Sequence, residues 1–167
     1  MNQNLYPHLF QPLTEVTESD WQKVINTNLT GVFHCMKYEL LQMQKQGRGA
    51  IVNNASIGGL RMALGFGAYG PSKAGVIAIT QTAALENADK GIRVNVICPG
   101  PTPTPLNTPE KVAEFSTWFA ERCAQHMDMS LPESSVEDQA NAILFFAEDA
   151  SAAVTGQYLT VDHGTTI

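Results

Sequence analysis

Cysteine and histidine are scarce in this sequence and widely spaced along it. The 167 residues contain three cysteines (Cys35, Cys98 and Cys123) with no CxxC pair, and four histidines with no HxxxH or HExxH pair. An odd number of cysteines is not typical of a disulfide framework, and a zinc site needs cysteine or histidine ligands at close spacing. The pattern therefore predicts reduced thiols, no metal site and a cytoplasmic location.

Basic residues and long apolar runs are also lacking. Lysine and arginine total 10 against 16 aspartate and glutamate, which gives a net charge of −6. This charge argues against a nucleic-acid partner, because neutralising phosphates needs clustered positive charge. No stretch of about 18 residues is continuously apolar, and the N-terminal segment has neither the basic nor the apolar part of a signal peptide. We therefore expect neither nucleic acid nor membrane as a partner.

The sequence does contain enough apolar material for one folded domain. Hydrophobic residues make up 44% and charged residues 16% of the chain, a composition that excludes global disorder. A chain of this length suits a single domain with its own core. We therefore treat residues 1–167 as one domain.

Apolar periodicity and turn residues divide the chain into alternating helices and strands. Predicted helices cover 17–46, 68–89, 109–125 and 136–147, and predicted strands cover 50–55, 92–98 and 157–161. Thr17 followed by Asp20 is typical of a helix start, and the segments rich in glycine or proline at 57–67 and 99–109 are typical of loops. Strands that alternate with helices indicate a parallel α/β sheet.

One glycine motif resembles a phosphate-binding turn. Gly65-Phe-Gly67-Ala-Tyr-Gly70 matches the pattern GxGxxG. That pattern binds a dinucleotide when its glycines directly follow a strand and open a helix. Here nine residues separate Gly65 from the end of the predicted strand at Ala55. The position favours ordinary loop glycines over a phosphate-binding turn.

Tyr69 and Lys73 are four residues apart on a predicted helix and therefore share one face. A tyrosine ordinarily titrates near pH ~10, and a nearby ammonium favours its phenolate form. We therefore expect Lys73 to lower the pKa of Tyr69 and fit it for proton transfer. On its own this spacing is more typical of a surface lysine beside a half-buried tyrosine.

Two further polar residues, Ser56 and Asn28, are candidates for a functional site because of their positions. Ser56 follows the predicted strand 50–55, and sites in open α/β sheets form beyond the carboxyl ends of strands. Asn28 lies in the middle of a predicted helix, where asparagine is disfavoured. The alternatives are a turn residue at a strand end for Ser56 and a position facing solvent for Asn28.

These residues together make the sequence resemble the short-chain dehydrogenase/reductase family. The resemblance is carried by Ser56 thirteen residues before Tyr69-xxx-Lys73, by Arg93-Val-Asn-Val-Ile-Cys-Pro99-Gly100 with Thr104, by the segment Trp21–Phe33 around Asn28, and by Val154–Gly164. It covers about residues 10–165. His163 stands where the family more often has glycine.

The resemblance implies a role for each matching residue. Tyr69 would be the general acid/base, and Ser56 would polarise the substrate carbonyl. Lys73 would hold the nicotinamide ribose and tune Tyr69, while Asn28 would anchor a water that links Lys73 to solvent. The remaining cofactor-binding positions would be Pro99, Gly100 and Thr104. The implied reaction is hydride transfer between NAD or NADP and a small carbonyl or alcohol substrate.

Some family features do not occur among these residues. There is no TGxxxGxG turn and no charged cofactor selector after a second strand. The chain therefore resembles the C-terminal two-thirds of such an enzyme. The expected fold is a partial Rossmann-like, doubly wound parallel sheet of about three strands with flanking helices. Because the adenosine and phosphate contacts would be missing, we expect this chain alone to bind NADH or NADPH weakly or not at all.

The same resemblance predicts contacts with other molecules. The helices at 17–46 and 68–89 would form a homo-oligomer, and the segment 101–130, with Trp118, Phe119 and Met127, would form an apolar lid over the substrate. Two functions remain open at this point. One is an oxidoreductase present as a truncated chain. The alternative is a catalytically inactive remnant that associates with itself or with a partner.

Overall fold

The computed structural model describes residues 11–61, 66–105, 119, 121, 123–128 and 130–166. Its main elements are α1 (Glu18–Ile25), α2 (Gly31–Gln46), β1 (Gly49–Asn54), α3 (Tyr69–Asn87), β2 (Ile92–Pro99), α4 (Val136–Ala147) and β3 (Tyr158–Val161). Most of the predicted helix 109–125, including Trp118, lies outside the described residues. No described helix has the length and apolar character needed to cross a membrane.

The three strands form one parallel sheet in the order β1-β2-β3, as the alternation of elements predicted. Gly49 pairs with Ile92 at one end of the β1–β2 ladder, and Val96 pairs with Tyr158 in the β2–β3 ladder. The central strand β2 is a nearly continuous apolar run and is buried along most of its length. Such a run is typical of a parallel strand that is covered on both faces.

Helices cover both faces of the sheet. On one face, Val94 and Val96 of β2 pack in clusters with α2 and α3 that include Met36 and Val76. On the other face, Ile97 packs against Phe146 of α4. The alternation of side chains along a strand explains this division. The arrangement confirms the expected Rossmann-like, doubly wound architecture.

The predicted helix 17–46 is helical throughout but is not uniform. Thr17 caps its start, and its hydroxyl accepts a hydrogen bond from the backbone N–H of Asp20 at 3.1 Å. Between α1 and α2 the residues Asn26–Thr30 form a π-helical segment, in which the Gly31 N–H donates to the Asn26 carbonyl. Periodicity does not reveal such a segment, because the apolar spacing barely changes. π segments occur frequently at functional sites.

Arg93 joins β2 to the end of α4. Its Nη1 donates to the Phe146 carbonyl at 2.6 Å and to Ser151 Oγ at 2.8 Å, and its Nη2 donates to the Glu148 carbonyl at 3.1 Å. The last carbonyls of a helix have no partner within the helix and carry partial negative charge. The planar guanidinium therefore satisfies several of them at once.

We expect Arg93→Ala to lower the free energy of unfolding by about 2–4 kcal/mol, because hydrogen bonds from a charged donor are lost and their acceptors lose their partner. Urea unfolding followed by circular dichroism measures the change. Arg48→Ala, at an exposed arginine that directly precedes β1, is the matched control and should stay within about 0.5 kcal/mol of the parent. Equal effects of the two substitutions would contradict the role assigned to Arg93.

Candidate active site

Ser56 lies just beyond the carboxyl end of β1. The strand ends at Asn54, and Ser56 immediately precedes a short 3₁₀ turn, Ile57–Gly59. Its Oγ accepts a hydrogen bond from the Gly58 N–H at 3.1 Å. This bond fixes the hydroxyl oxygen and leaves the hydroxyl proton available for donation.

Tyr69 begins α3 and meets Ser56 across the intervening loop. The two side chains lie within hydrogen-bonding reach of each other. The Phe66 ring lies beside the phenol, with 5.6 Å between the ring centroids. The structure therefore brings together the two hydroxyls that the sequence singled out, and an aromatic wall adjoins them.

The environment of Tyr69 keeps its phenol protonated. Burial raises the pKa of Tyr69 above its ordinary value, and the hydrogen bond with Ser56 opposes part of that rise. The sequence predicted the opposite direction, a pKa lowered by Lys73, and the structure corrects this. Desolvation penalises a phenolate strongly, and in this arrangement its effect is larger than that of any neighbouring charge.

Lys73 occupies the same face of α3 as Tyr69 but is directed at the backbone of β1. Its Nζ donates to the Asn54 carbonyl at 3.0 Å and lies 5.7 Å from the centroid of the Tyr69 ring. Burial lowers the pKa of Lys73, and the neighbouring Cys98 opposes that shift. An ammonium has three N–H donors, so the bond to Asn54 leaves donors for a further ligand.

Asn28 lies in the π-helical segment and faces α3. Its Nδ2 donates to Ser72 Oγ at 3.1 Å, and the Ser72 hydroxyl donates to the Tyr69 carbonyl at 2.7 Å. Asn28 is thus joined through Ser72 to the first turn of the helix that carries Tyr69 and Lys73. The structure therefore places Asn28 next to the site, where it bonds to Ser72, the residue directly before Lys73.

Pro99 is the last residue of β2, and Gly100 and Thr104 lie in the segment that follows it. Gly100 lies against Asp162 so closely that a Cβ atom there would come within 2.5 Å of the Asp162 Cβ. Gln139 of α4 fixes the same segment, because its Nε2 donates to Thr102 Oγ1 at 3.2 Å and to the Val161 carbonyl at 3.0 Å. Close packing and these bonds hold the irregular segment at the carboxyl end of the sheet.

Sequence reasoning missed two residues of this site. Gly59 was one glycine among several in a predicted loop, yet a Cβ at this position would lie 2.7 Å from the Lys73 carbonyl carbon. Cys98 is fully buried, and the amide of Ser56 and the charge of Lys73 both affect its thiol, whose pKa burial raises to about 11. The sequence shows that Cys98 directly precedes Pro99-Gly100, but it does not show which residues surround Cys98 in space.

His163 follows the buried Asp162 and has a left-handed backbone. Its φ of 50° is the one positive value at a described residue other than glycine. Its Nε2 lies 3.7 Å from Asp138 Oδ2, and both side chains are 46% exposed. This conformation explains why glycine suits the position, since a Cβ atom in the left-handed region costs about 1–2 kcal/mol.

We expect His163→Gly to be more stable than His163→Ala by about 1 kcal/mol. Both substitutions remove the contact with Asp138, so their difference isolates the cost of the left-handed backbone. Thermal and urea unfolding of the two variants measure it. Equal stability, or a more stable alanine variant, would contradict this account of position 163.

Comparison with known proteins adds independent findings. The family model described as enoyl-(acyl carrier protein) reductase matches residues 3–166. The short chain dehydrogenase/reductase astE of Aspergillus oryzae is 37% identical over 169 residues, which cover 99% of this chain and 63% of the relative. A 3-oxoacyl-(acyl-carrier-protein) reductase of Thermotoga maritima is 40% identical over 155 residues, covering 93% of this chain and 61% of the relative.

The fold matches solved structures as well. The crystal structure of NAD⁺-bound xylitol dehydrogenase superimposes with a TM-score of 0.79 and 30% identity, over 95% of this chain and 65% of that one. The chain thus spans less than two-thirds of the length of each of these relatives.

Proposed function

This chain belongs to the short-chain dehydrogenase/reductase family, and from this premise we propose that it carries the catalytic residues of an NAD(P)-dependent oxidoreductase. The reaction would interconvert a carbonyl group and an alcohol on a small substrate. The observation that supports this most directly is the approach of the Ser56 and Tyr69 side chains beyond the carboxyl end of β1, with Lys73 Nζ held beside them at 3.0 Å from the Asn54 carbonyl.

The donor groups at the site suit the nicotinamide ribose of NAD or NADP. A ribose presents neighbouring hydroxyls, and the Lys73 ammonium retains N–H donors beyond its bond to Asn54. Pro99, Gly100 and Thr104 would line the nicotinamide side of the cofactor. When bound, the cofactor supplies or accepts the hydride.

The residues of this chain would donate the proton and bind the substrate oxygen. In the direction of reduction, Tyr69 donates its phenolic proton to the substrate oxygen, and Ser56 donates a hydrogen bond to the same oxygen. Burial favours the neutral phenol, the form needed by a proton donor. Asn28, linked through Ser72 to the start of α3, would hold the water that returns a proton to the site.

A spectrophotometric assay tests this function. The chain is incubated with a set of ketones and aldehydes and, in separate arms, with NADH or NADPH at up to about 1 mM, since weak cofactor binding is expected of this chain. Loss of reduced-nicotinamide absorbance that depends on the carbonyl compound supports the proposal. No turnover with any combination would favour the inactive alternative.

We also propose that the chain forms a homo-oligomer through α2 and α3. Large apolar side chains are exposed on these helices, namely Phe33 (48%), Tyr38 (66%) and Leu41 (48%) on α2 and Leu85 (84%) on α3. Burying such residues against a second copy is favourable. Sedimentation analysis tests this, and a monomer at all concentrations would contradict it. The inactive alternative would act through the same surface.

A further inference from the structure

A small cavity of about 190 Å³ is lined by neighbours of the candidate catalytic residues Ser56 and Tyr69. Ile57 and Gly58, which directly follow Ser56, form one wall. Phe66, whose ring lies 5.6 Å from that of Tyr69, forms another. A substrate that fills this cavity would therefore lie beside the Ser56 turn and beside the ring that flanks Tyr69.

The polar groups that line the cavity favour an anion. They include the guanidinium of Arg61 and the imidazole of His126, and none of the described lining residues carries a carboxylate. Arg61 Nη1 donates to the Thr166 carbonyl, which holds the side chain in place. A guanidinium has five N–H donors in a planar fork that matches a carboxylate. Within the described part of the chain, no aspartate or glutamate forms an ion pair with Arg61.

Apart from Thr166, the rest of the cavity lining is apolar and firmly packed. Ile57, Phe66 and Met127 contribute its apolar lining. Phe66 is held by an edge-on contact with the buried Phe119, at 5.7 Å between ring centroids. Such walls suit a short hydrocarbon body. The volume falls below the roughly 300 Å³ at which pockets for larger ligands begin.

We propose, resting on the function proposed above, that the substrate is a ketone or secondary alcohol with a short apolar body and a carboxylate that binds Arg61. His126 provides a second donor. In reduction, the carbonyl carbon gains a hydride from NADH or NADPH and its oxygen gains the proton of Tyr69, so the ketone takes up two electrons. The carboxylate takes no part in this exchange and only orients the molecule.

Binding of a matched pair of probes tests the inference without any turnover. The probes are 4-oxocyclohexanecarboxylate and 4-methylcyclohexanone, which differ in a carboxylate replaced by a methyl group. Titrations of the chain are followed by NMR. We expect the acid to bind about tenfold more tightly than the neutral ketone, a difference within reach of one charge-assisted hydrogen-bonded pair.

Variants of Arg61 locate the effect. Arg61→Gln should remove the preference for the acid. It should leave the dissociation constant of the neutral ketone within about twofold of the parent value. The unchanged binding of the neutral ketone also shows that the variant is folded. Arg61→Lys should retain part of the preference, because the charge stays while the planar fork is lost.

Three outcomes would overturn the inference: equal binding of the two probes, a preference that survives in Arg61→Gln, or no binding of either probe at millimolar concentration. They differ from failure of the proposed function. A chain that binds the acid through Arg61 but reduces no carbonyl keeps the anion site and loses the enzymatic role. A chain that reduces ketones without preferring acids does the reverse.

Discussion

Tyr69→Phe is expected to lower kcat/KM for carbonyl reduction by about 10²–10⁴-fold, the usual contribution of a general acid. The substitution removes one oxygen atom and keeps the ring that packs against Phe66. Without the phenol, the oxygen of the substrate would receive its proton from water, and Ser56 alone would polarise the carbonyl. Steady-state assays of the parent and the variant measure the ratio.

Tyr158→Phe is the matched control, because Tyr158 is 52% exposed on β3. It should leave kcat/KM unchanged within about twofold, as expected of a surface substitution away from the site. The variant Tyr69→Phe should also unfold at nearly the same temperature as the parent. Turnover retained by Tyr69→Phe would remove Tyr69 as the proton donor.

The raised pKa of Tyr69 gives this prediction a pH signature. Because burial favours the neutral phenol, Tyr69 stays protonated at neutral pH. The rate of reduction should therefore fall only at alkaline pH. An ultraviolet difference titration of the parent against Tyr69→Phe shows the ionisation directly. In that difference, a titration midpoint below the ordinary pKa of 10.0 would contradict the raised pKa.

The arrangement of strands and most helices could be predicted because local signals agree with the final packing. The helix at 136–147 has the predicted bounds, since Ser135 and Asp138 form a capping box at its start and Phe146 packs on the sheet. The strand over 92–99 is apolar because both faces are covered. In such segments the composition and the tertiary environment favour the same conformation.

The site could be predicted only in part. Spacing placed Tyr69 and Lys73 on one helix face, and the strand end placed Ser56 near them. Spacing did not reveal that Lys73 Nζ would bond to the Asn54 carbonyl, nor that burial would dominate the pKa of Tyr69. Both depend on atoms far apart in sequence. The π-helical segment around Asn28 was hidden for a similar reason, since an extra residue in one turn leaves no compositional mark.

Gly59 is the position where steric packing most directly controls the site. It lies in the turn after Ser56, and its N–H donates to the Ser56 carbonyl at 3.0 Å. A Cβ atom here would lie 2.7 Å from the Lys73 carbonyl carbon and 2.8 Å from the Ala74 nitrogen. Both are backbone atoms of α3 and cannot rotate away. The absence of a side chain therefore lets the Ser56 turn approach the helix that carries Tyr69 and Lys73.

Gly59→Ala is expected to lower the free energy of unfolding by about 1–3 kcal/mol, the usual cost of forcing extra volume into a packed contact. It should also move the Ser56 turn away from α3 and weaken the bond between Ser56 and Tyr69. We therefore expect kcat/KM to fall by at least about tenfold, because even a small misplacement of reacting groups slows catalysis. Urea unfolding and steady-state assays measure the two effects.

Gly58→Ala separates this effect from a general intolerance of the turn. A Cβ at Gly58 would lie 3.5 Å from Phe66 Cε2 and 3.5 Å from Ser56 Oγ, which are ordinary contacts. The substitution adds the same methyl group one residue earlier, so it should cost less than about 1 kcal/mol and retain most of the activity. If Gly58→Ala is as damaging as Gly59→Ala, the close approach to α3 does not set the geometry of the site. If only Gly59→Ala loses activity, the backbone contact with Lys73 and Ala74 does.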